Sequence, residues 1–198
     1  MNDTRQHILQ ISLILFLQKS FKEVTMREIV EKSGLSKGAF YHYFRSKEDL
    51  FKEIVTMFFT MGRIDYSKFD SDSFNTFYNQ YCDHIDNSMN RINSMFDSGD
   101  KMSPNIFMIL FDAIGKFPEF LEMELDNYHV ELREWIRIVS KAREEGEITS
   151  LSSDAQIAKL FLYCTDGVFI RFVNSAQSAN YKSDLLSAFD TIYNGIKV

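Results

Sequence analysis

The chain has 198 residues, a formal charge of −6, 45% hydrophobic and 15% aromatic residues. That is enough for one large domain, or a small one fused to a larger one, and lies far from the polar, highly charged composition of disordered chains. Two cysteines, Cys82 and Cys164, are too few for a disulfide scaffold and do not form a Cys-x-x-Cys pair. The four histidines are too scattered to suggest a zinc site, so neither metal nor cofactor is expected. The charge is unevenly divided: residues 1–50 hold eight Lys/Arg and six Asp/Glu (+2), and the other 148 hold 14 and 22 (−8).

Taken in chain order, the sequence reads as helix throughout. The first apolar run, Ile8 to Leu17, is too short to span a bilayer. Little positive charge precedes it and no small-residue cleavage site follows, so it is expected to be a buried amphipathic helix of a cytoplasmic protein with no membrane partner. Capping-box patterns at Asp3–Gln6, Thr25–Glu28 and Ser153–Gln156, a looser one at Ser46–Asp49, and Ser103-Pro104 and Pro118 mark helix starts. Stops fall at Gly34, around 97–100 and at Gly146. These marks predict about nine helices, near 4–19, 25–32, 36–43, 47–65, 73–95, 104–115, 118–145, 153–175 and 182–197, and no strands. The expected fold is all-α: a three-helix N-terminal domain, 1–46, and a larger helical body, 47–198.

The segment from Thr25 to Leu50 carries the chemistry. A capped two-turn helix (Met26, Ile29 and Val30 inward) is followed by the turn Ser33-Gly34-Leu35, where Gly34 can take positive φ. Ser36 then caps a second short helix, Lys37 to Tyr43. This is the plan of a helix-turn-helix, whose second helix enters the major groove of DNA. Lys37, Gly38 and Ala39 bring one cation and little bulk to the start of that helix. Tyr41, His42 and Tyr43 offer flat hydrogen-bonding groups for phosphates or base edges, Phe40 and Phe44 form an apolar anchor, and Lys47 is placed to clamp a phosphate.

The run Gly34-Leu35-Ser36-Lys37-Gly38-Ala39-Phe40-Tyr41-His42-Tyr43-Phe44-Arg45-Ser46-Lys47-Glu48-Asp49-Leu50, with Phe16, Phe21 and Thr25–Ile29 upstream, closely resembles the DNA-binding signature of the TetR family of transcriptional regulators. Ser20 stands where that family usually has Gly, and Ser12-Leu13 where it has a small pair. The resemblance implies a non-enzymatic, homodimeric repressor of a pseudo-palindromic operator on double-stranded DNA, released by a small apolar or amphipathic effector. By position it implies DNA contacts from Thr25, Arg27, Lys37, Gly38, Ala39, Tyr41, His42, Tyr43 and Lys47.

The body is rich in aromatic residues, with 19 Phe and nine Tyr. Phe58, Met61, Tyr78, Tyr81, Phe107, Phe111 and Trp135 fall in helices that line the effector pocket in similar proteins; the bland alternative is core packing. An Asp or Glu within 70–145 would suit a cationic effector, but the sequence singles out none. The last two helices are apolar on several sides, and Phe161, Val168, Phe172, Leu185, Phe189, Ile192 and Ile196 are expected at a two-fold interface, with Gly167 permitting close approach. Cys82 and Cys164 read as core residues. The competing functional class is a helical binding protein or enzyme using the aromatic body directly, for which no catalytic motif speaks.

Overall fold

The computed structural model describes residues 3–93, 106–174 and 180–198. Among them are nine α-helices: α1 Asp3–Gln18, α2 Met26–Ser33, α3 Lys37–Tyr43, α4 Lys47–Gly62, α5 Phe74–Asn93, α6 Ile106–Lys116, α7 Pro118–Glu144, α8 Asp154–Asn174 and α9 Tyr181–Asn194. A 3-10 turn at Tyr66–Lys68 precedes α5, and a single bridge pairs Ile148 with Lys197. No described helix is long and apolar enough to cross a membrane.

Local chemistry accounts for the helix ends. The Thr25 hydroxyl accepts from the Glu28 N–H at 3.2 Å, but the reciprocal arm of that box is absent, because the Glu28 carboxylate pairs with Lys19 at 2.6 Å. The box at Ser153 and Gln156 is complete in both directions. Gly34 and Gly146 end α2 and α7 with φ of 67° and 74°, a conformation in which a side chain is strained. Ser20, at a position where the TetR signature usually has Gly, needs no positive φ: its N–H and Oγ both donate to the Glu23 carboxylate, at 3.0 and 2.7 Å, and hold the turn. Ser12 is buried, and its hydroxyl donates to Ile8 C=O at 2.7 Å. The helix starts expected at Ser103-Pro104 and the stop near 97–100 lie outside the described residues.

Packing divides the chain into two compact units, Met1–Met61 with Arg91–Met123, and Gly62–Asn90 with Glu124–Val198. In the first, α1 packs on α2 and α6, and the Phe51 ring meets those of Phe16 and Phe21 edge-on at 4.9 and 4.6 Å, in a core that also holds buried Ile8, Leu13, Phe40, Phe44 and Ile54. Packing therefore does not break at residue 46. Phe51 on α4 belongs to the same cluster as Phe16 on α1, and Glu53 pairs with Arg5. In the second unit α8 and α9 pack together, and Trp135 is fully buried among Phe77, Tyr81, Phe161 and Phe189 at ring distances of 5.0 to 5.6 Å. Glu147 ties this unit's ends together. Its carboxylate accepts from the N–H groups of Phe74 and Asn75, at the start of α5, and from the Tyr193 hydroxyl on α9.

Candidate nucleic-acid interface

The helix-turn-helix is built as its residues dictate. Gly34 turns the chain out of α2, and Ser36 caps α3 by accepting from the Ala39 N–H at 3.3 Å. His7 on α1 contacts the Ser33 carbonyl at 3.1 Å and so fixes the end of α2. Phe40 and Phe44 are buried, which pins one face of α3 to the core and turns the other outward.

The outward face of α3 and the start of α2 carry most of the residues expected at DNA. Thr25, Arg27, Lys37, Gly38, Ala39, Tyr41 and His42 are all exposed. Arg27 reaches Glu31 one turn on at 2.8 Å, a pair between largely exposed side chains that costs little to give up to a phosphate. Gly38 lies in ordinary helical backbone, and a Cβ built there would meet nothing within 4 Å, so nothing within the chain demands glycine at this point. Tyr43 is half-buried beside the His42 ring, at 5.2 Å.

Lys47 differs from expectation. Its ammonium does not project from α4 as a clamp but donates to the carbonyls of Phe21 and Val24, at 2.6 and 2.7 Å, and lies 4.4 Å from the Phe21 ring centroid. The turn after α1 leaves these carbonyls without helical partners, and a charged donor satisfies them. On the other side of the same residue the Phe21 N–H donates to Asp112 of α6 at 2.9 Å. No sequence signal announces this grip, because its members lie 26 and 91 residues apart.

The aromatic residues expected to line an effector pocket are dispersed. Phe58 is buried in the first unit, whereas Tyr78, Tyr81 and Trp135 are core residues of the second. Phe111 is 69% exposed, and the side chains of Met61 and Phe107 lie outside the described residues. Burial raises the Cys82 thiol to about 12 and also raises Cys164, which keeps both protonated and suits core packing.

The expected interface residues need correction. Phe161, Leu185 and Phe189 are fully buried within the single chain, against Trp135 and one another, so they are core rather than interface. Val168, Phe172, Ile192 and Ile196 are half-buried against the same core. The exposed apolar stripe of α8 lies elsewhere, at Leu160, Tyr163, Gly167 and Ile170, spaced three and four residues apart.

A short capped helix, held by two buried phenylalanines and presenting a cation, small residues and polar rings, defines a DNA-binding protein of the helix-turn-helix class. Residues 8–54 match the family described as bacterial regulatory proteins, tetR family. The HTH-type transcriptional regulator YfiR of Bacillus subtilis is 29% identical over 171 residues, covering 84% of this chain and 78% of its own. The HTH-type transcriptional repressor KstR2 of Mycobacterium tuberculosis is 21% identical over 188 residues, covering 86% and 82%. The structure of the ketosteroid transcriptional regulator KstR2 of that organism superposes with a TM-score of 0.71 over 100% of this chain and 97% of its own, at 17% identity. That of the MbdR regulator from Azoarcus sp. CIB gives 0.72 over 98% and 100%, at 16%. Residues 8–54 thus match the DNA-binding part of the TetR family, and the chain is a DNA-binding transcriptional regulator similar to that family's members.

Proposed function

We propose that the chain works in the cytoplasm as a homodimeric repressor that binds a pseudo-palindromic operator and releases it when a small effector binds the body. In this reading residues 1–46 are the DNA-binding domain and 47–198 the effector-binding and dimerisation domain. The observation that carries it is the exposed face of α3, with Lys37, Gly38, Ala39, Tyr41 and His42 outward over buried Phe40 and Phe44. Lys37 and His42 read base edges, Thr25, Arg27, Tyr41 and Tyr43 hold phosphates, and Lys47 supports the loop that delivers α2. Two half-sites require two reading heads. The exposed stripe Leu160, Tyr163, Gly167 and Ile170 supplies a self-complementary face for them. Repression is favoured over activation by the likeness to the transcriptional repressor KstR2 of Mycobacterium tuberculosis.

Selection of bound sequences from a random double-stranded DNA pool tests this directly. The expected product is an enriched inverted repeat, and its absence at low salt refutes the reading. With Arg27 the cation set against phosphate in each head, log K falls against log salt with a slope of about −2 for the dimer. A slope near zero contradicts the proposed phosphate contacts.

A further inference from the structure

Residues 1–50 hold eight Lys/Arg, and what each of them meets divides the set. Three pair with carboxylates: Arg5 with Glu53, Lys19 with Glu28 at 2.6 Å, and Arg27 with Glu31 at 2.8 Å. Lys47 is taken up by the carbonyls of Phe21 and Val24, at 2.6 and 2.7 Å. The other four, Lys22, Lys32, Lys37 and Arg45, are exposed and make no hydrogen bond or ion pair among the described residues. Their places differ. Lys22 lies in the turn between α1 and α2. Lys32 falls in the last turn of α2, five residues beyond Arg27, which puts it about 140° round the helix from that residue and about 7.5 Å further along. Lys37 opens α3, where it is set against base edges. Arg45 alone stands at the exit of α3, between Phe44 and Ser46.

The local backbone turns Arg45 outward. Phe44 closes α3 in extended conformation, φ −135° and ψ 121°, with its ring buried, and neighbouring side chains in extended backbone point to opposite sides. Two carboxylates follow within four residues, Glu48 and Asp49, yet Arg45 pairs with neither. They stay in the first turn of α4, where the helix dipole favours them and the Ser46 hydroxyl accepts from the Asp49 N–H at 3.0 Å. The position also matches the scale of the groove. The seven residues of α3 rise about 10 Å, against a major groove about 12 Å wide and about 8.5 Å deep. With Lys37 and the first turn among the base edges, the end of α3 comes to the rim of the groove, where the phosphates are. A guanidinium suits that place, since its planar fork meets a phosphate with two parallel hydrogen bonds. We propose that Arg45 holds a phosphate of the DNA backbone at the exit of α3, the part that Lys47 cannot play while its ammonium is bound inward. This assignment rests on α3 lying in the major groove, as proposed above.

Phosphate contacts are independent of sequence, so the probe is a fluorescein-labelled DNA duplex of arbitrary sequence and about 30 base pairs, titrated with the full chain over a series of salt concentrations. Arg27 alone gives the dimer a slope of log K on log salt of about −2, and Arg45 takes it to about −4. Arg45→Gln should return the slope to about −2, so that raising salt from about 50 to 200 mM weakens the variant about twelvefold less than the parent. Arg45→Lys, which keeps the charge, should keep the parent slope. Lys32→Gln removes an equally unpaired charge from the far end of α2 and should keep it too. Because neither Arg45 nor Lys32 makes a hydrogen bond or ion pair among the described residues, all three variants should unfold at the parent's urea midpoint. An unchanged slope for Arg45→Gln overturns the contact. So do equal changes for Arg45→Gln and Lys32→Gln, which would mean that only the overall field of the head is felt. A lowered urea midpoint for Arg45→Gln overturns it as well, by revealing an internal role. A parent that retains no duplex at low salt overturns the placement of α3 in the groove; a parent that binds, with an Arg45→Gln slope equal to its own, removes this contact and leaves that placement standing.

Discussion

Replacing Lys47 by Met decides between two roles for this residue, since it keeps the aliphatic stem and removes the ammonium. In the structure that ammonium makes two hydrogen bonds, to Phe21 C=O at 2.6 Å and Val24 C=O at 2.7 Å, and sits 4.4 Å from the Phe21 ring centroid. A hydrogen bond from a charged donor contributes about 1.5–3 kcal/mol, towards the lower value at a half-buried site such as this. The ring contact adds about 0.5–1 kcal/mol. The variant should therefore lose about 3.5–4 kcal/mol of unfolding free energy in urea denaturation. Its affinity for DNA of any sequence should fall, because the loop that leads into Thr25 is no longer held. The salt slope should stay that of the parent, since no phosphate contact is removed. A direct phosphate clamp predicts a different pair of results: stability changed by less than about 0.5 kcal/mol, and a slope shallower by about 0.9 per head, or about 1.8 for the dimer. That second pair would refute the supporting role.

The corrected assignment of α8 makes a contrast. Phe161→Ala should cost about 3–5 kcal/mol in denaturation, as for a large buried ring, whereas Ile170→Glu should leave each chain folded but yield a monomer in sedimentation that no longer retains the operator. Glu131 predicts a pH dependence. Burial raises its folded pKa above the ordinary value of about 4.3, so the folded chain holds this proton more tightly than the unfolded one and stability falls as pH rises through that window. Melting temperatures of parent and Glu131→Gln should accordingly agree in acid and separate above it, with the variant the more stable at neutral pH; parallel curves would contradict this. Glu147→Gln should lower stability by about 1–2 kcal/mol, since one carboxylate serves the start of α5 and the Tyr193 hydroxyl.

The helix-turn-helix was legible in the sequence because its determinants are local. A cap at Ser36, a glycine at 34 and two phenylalanines four residues apart act within one or two turns, and the structure places each as expected. What escaped is what long-range contact decides. Periodicity shows that α8 is apolar on several sides, but not which side meets its own chain; Phe161 and Leu162 face inward while Leu160, Tyr163 and Ile170 face out. A lysine at a helix start looks alike in sequence whether it reaches for phosphate or, as Lys47 does here, for a carbonyl 26 residues back. Glu131 gave no sign among the other acidic residues of α7, since the Tyr81 and Tyr66 hydroxyls that donate to it come from 50 and 65 residues away.

Phe21 is fastened at both faces of its backbone, the N–H to Asp112 and the C=O to Lys47, while the side chains of Lys47 and Lys116 lie against its ring. Such a joint has almost no play. A hydrogen bond to a carboxylate tolerates only a few tenths of an ångström before it weakens, so α6 cannot drift past this residue by degrees. A larger displacement of α6 either drags the entrance of the helix-turn-helix along with it or lets go altogether. Asp112 is thus the point at which α6 and the entrance of the helix-turn-helix are joined.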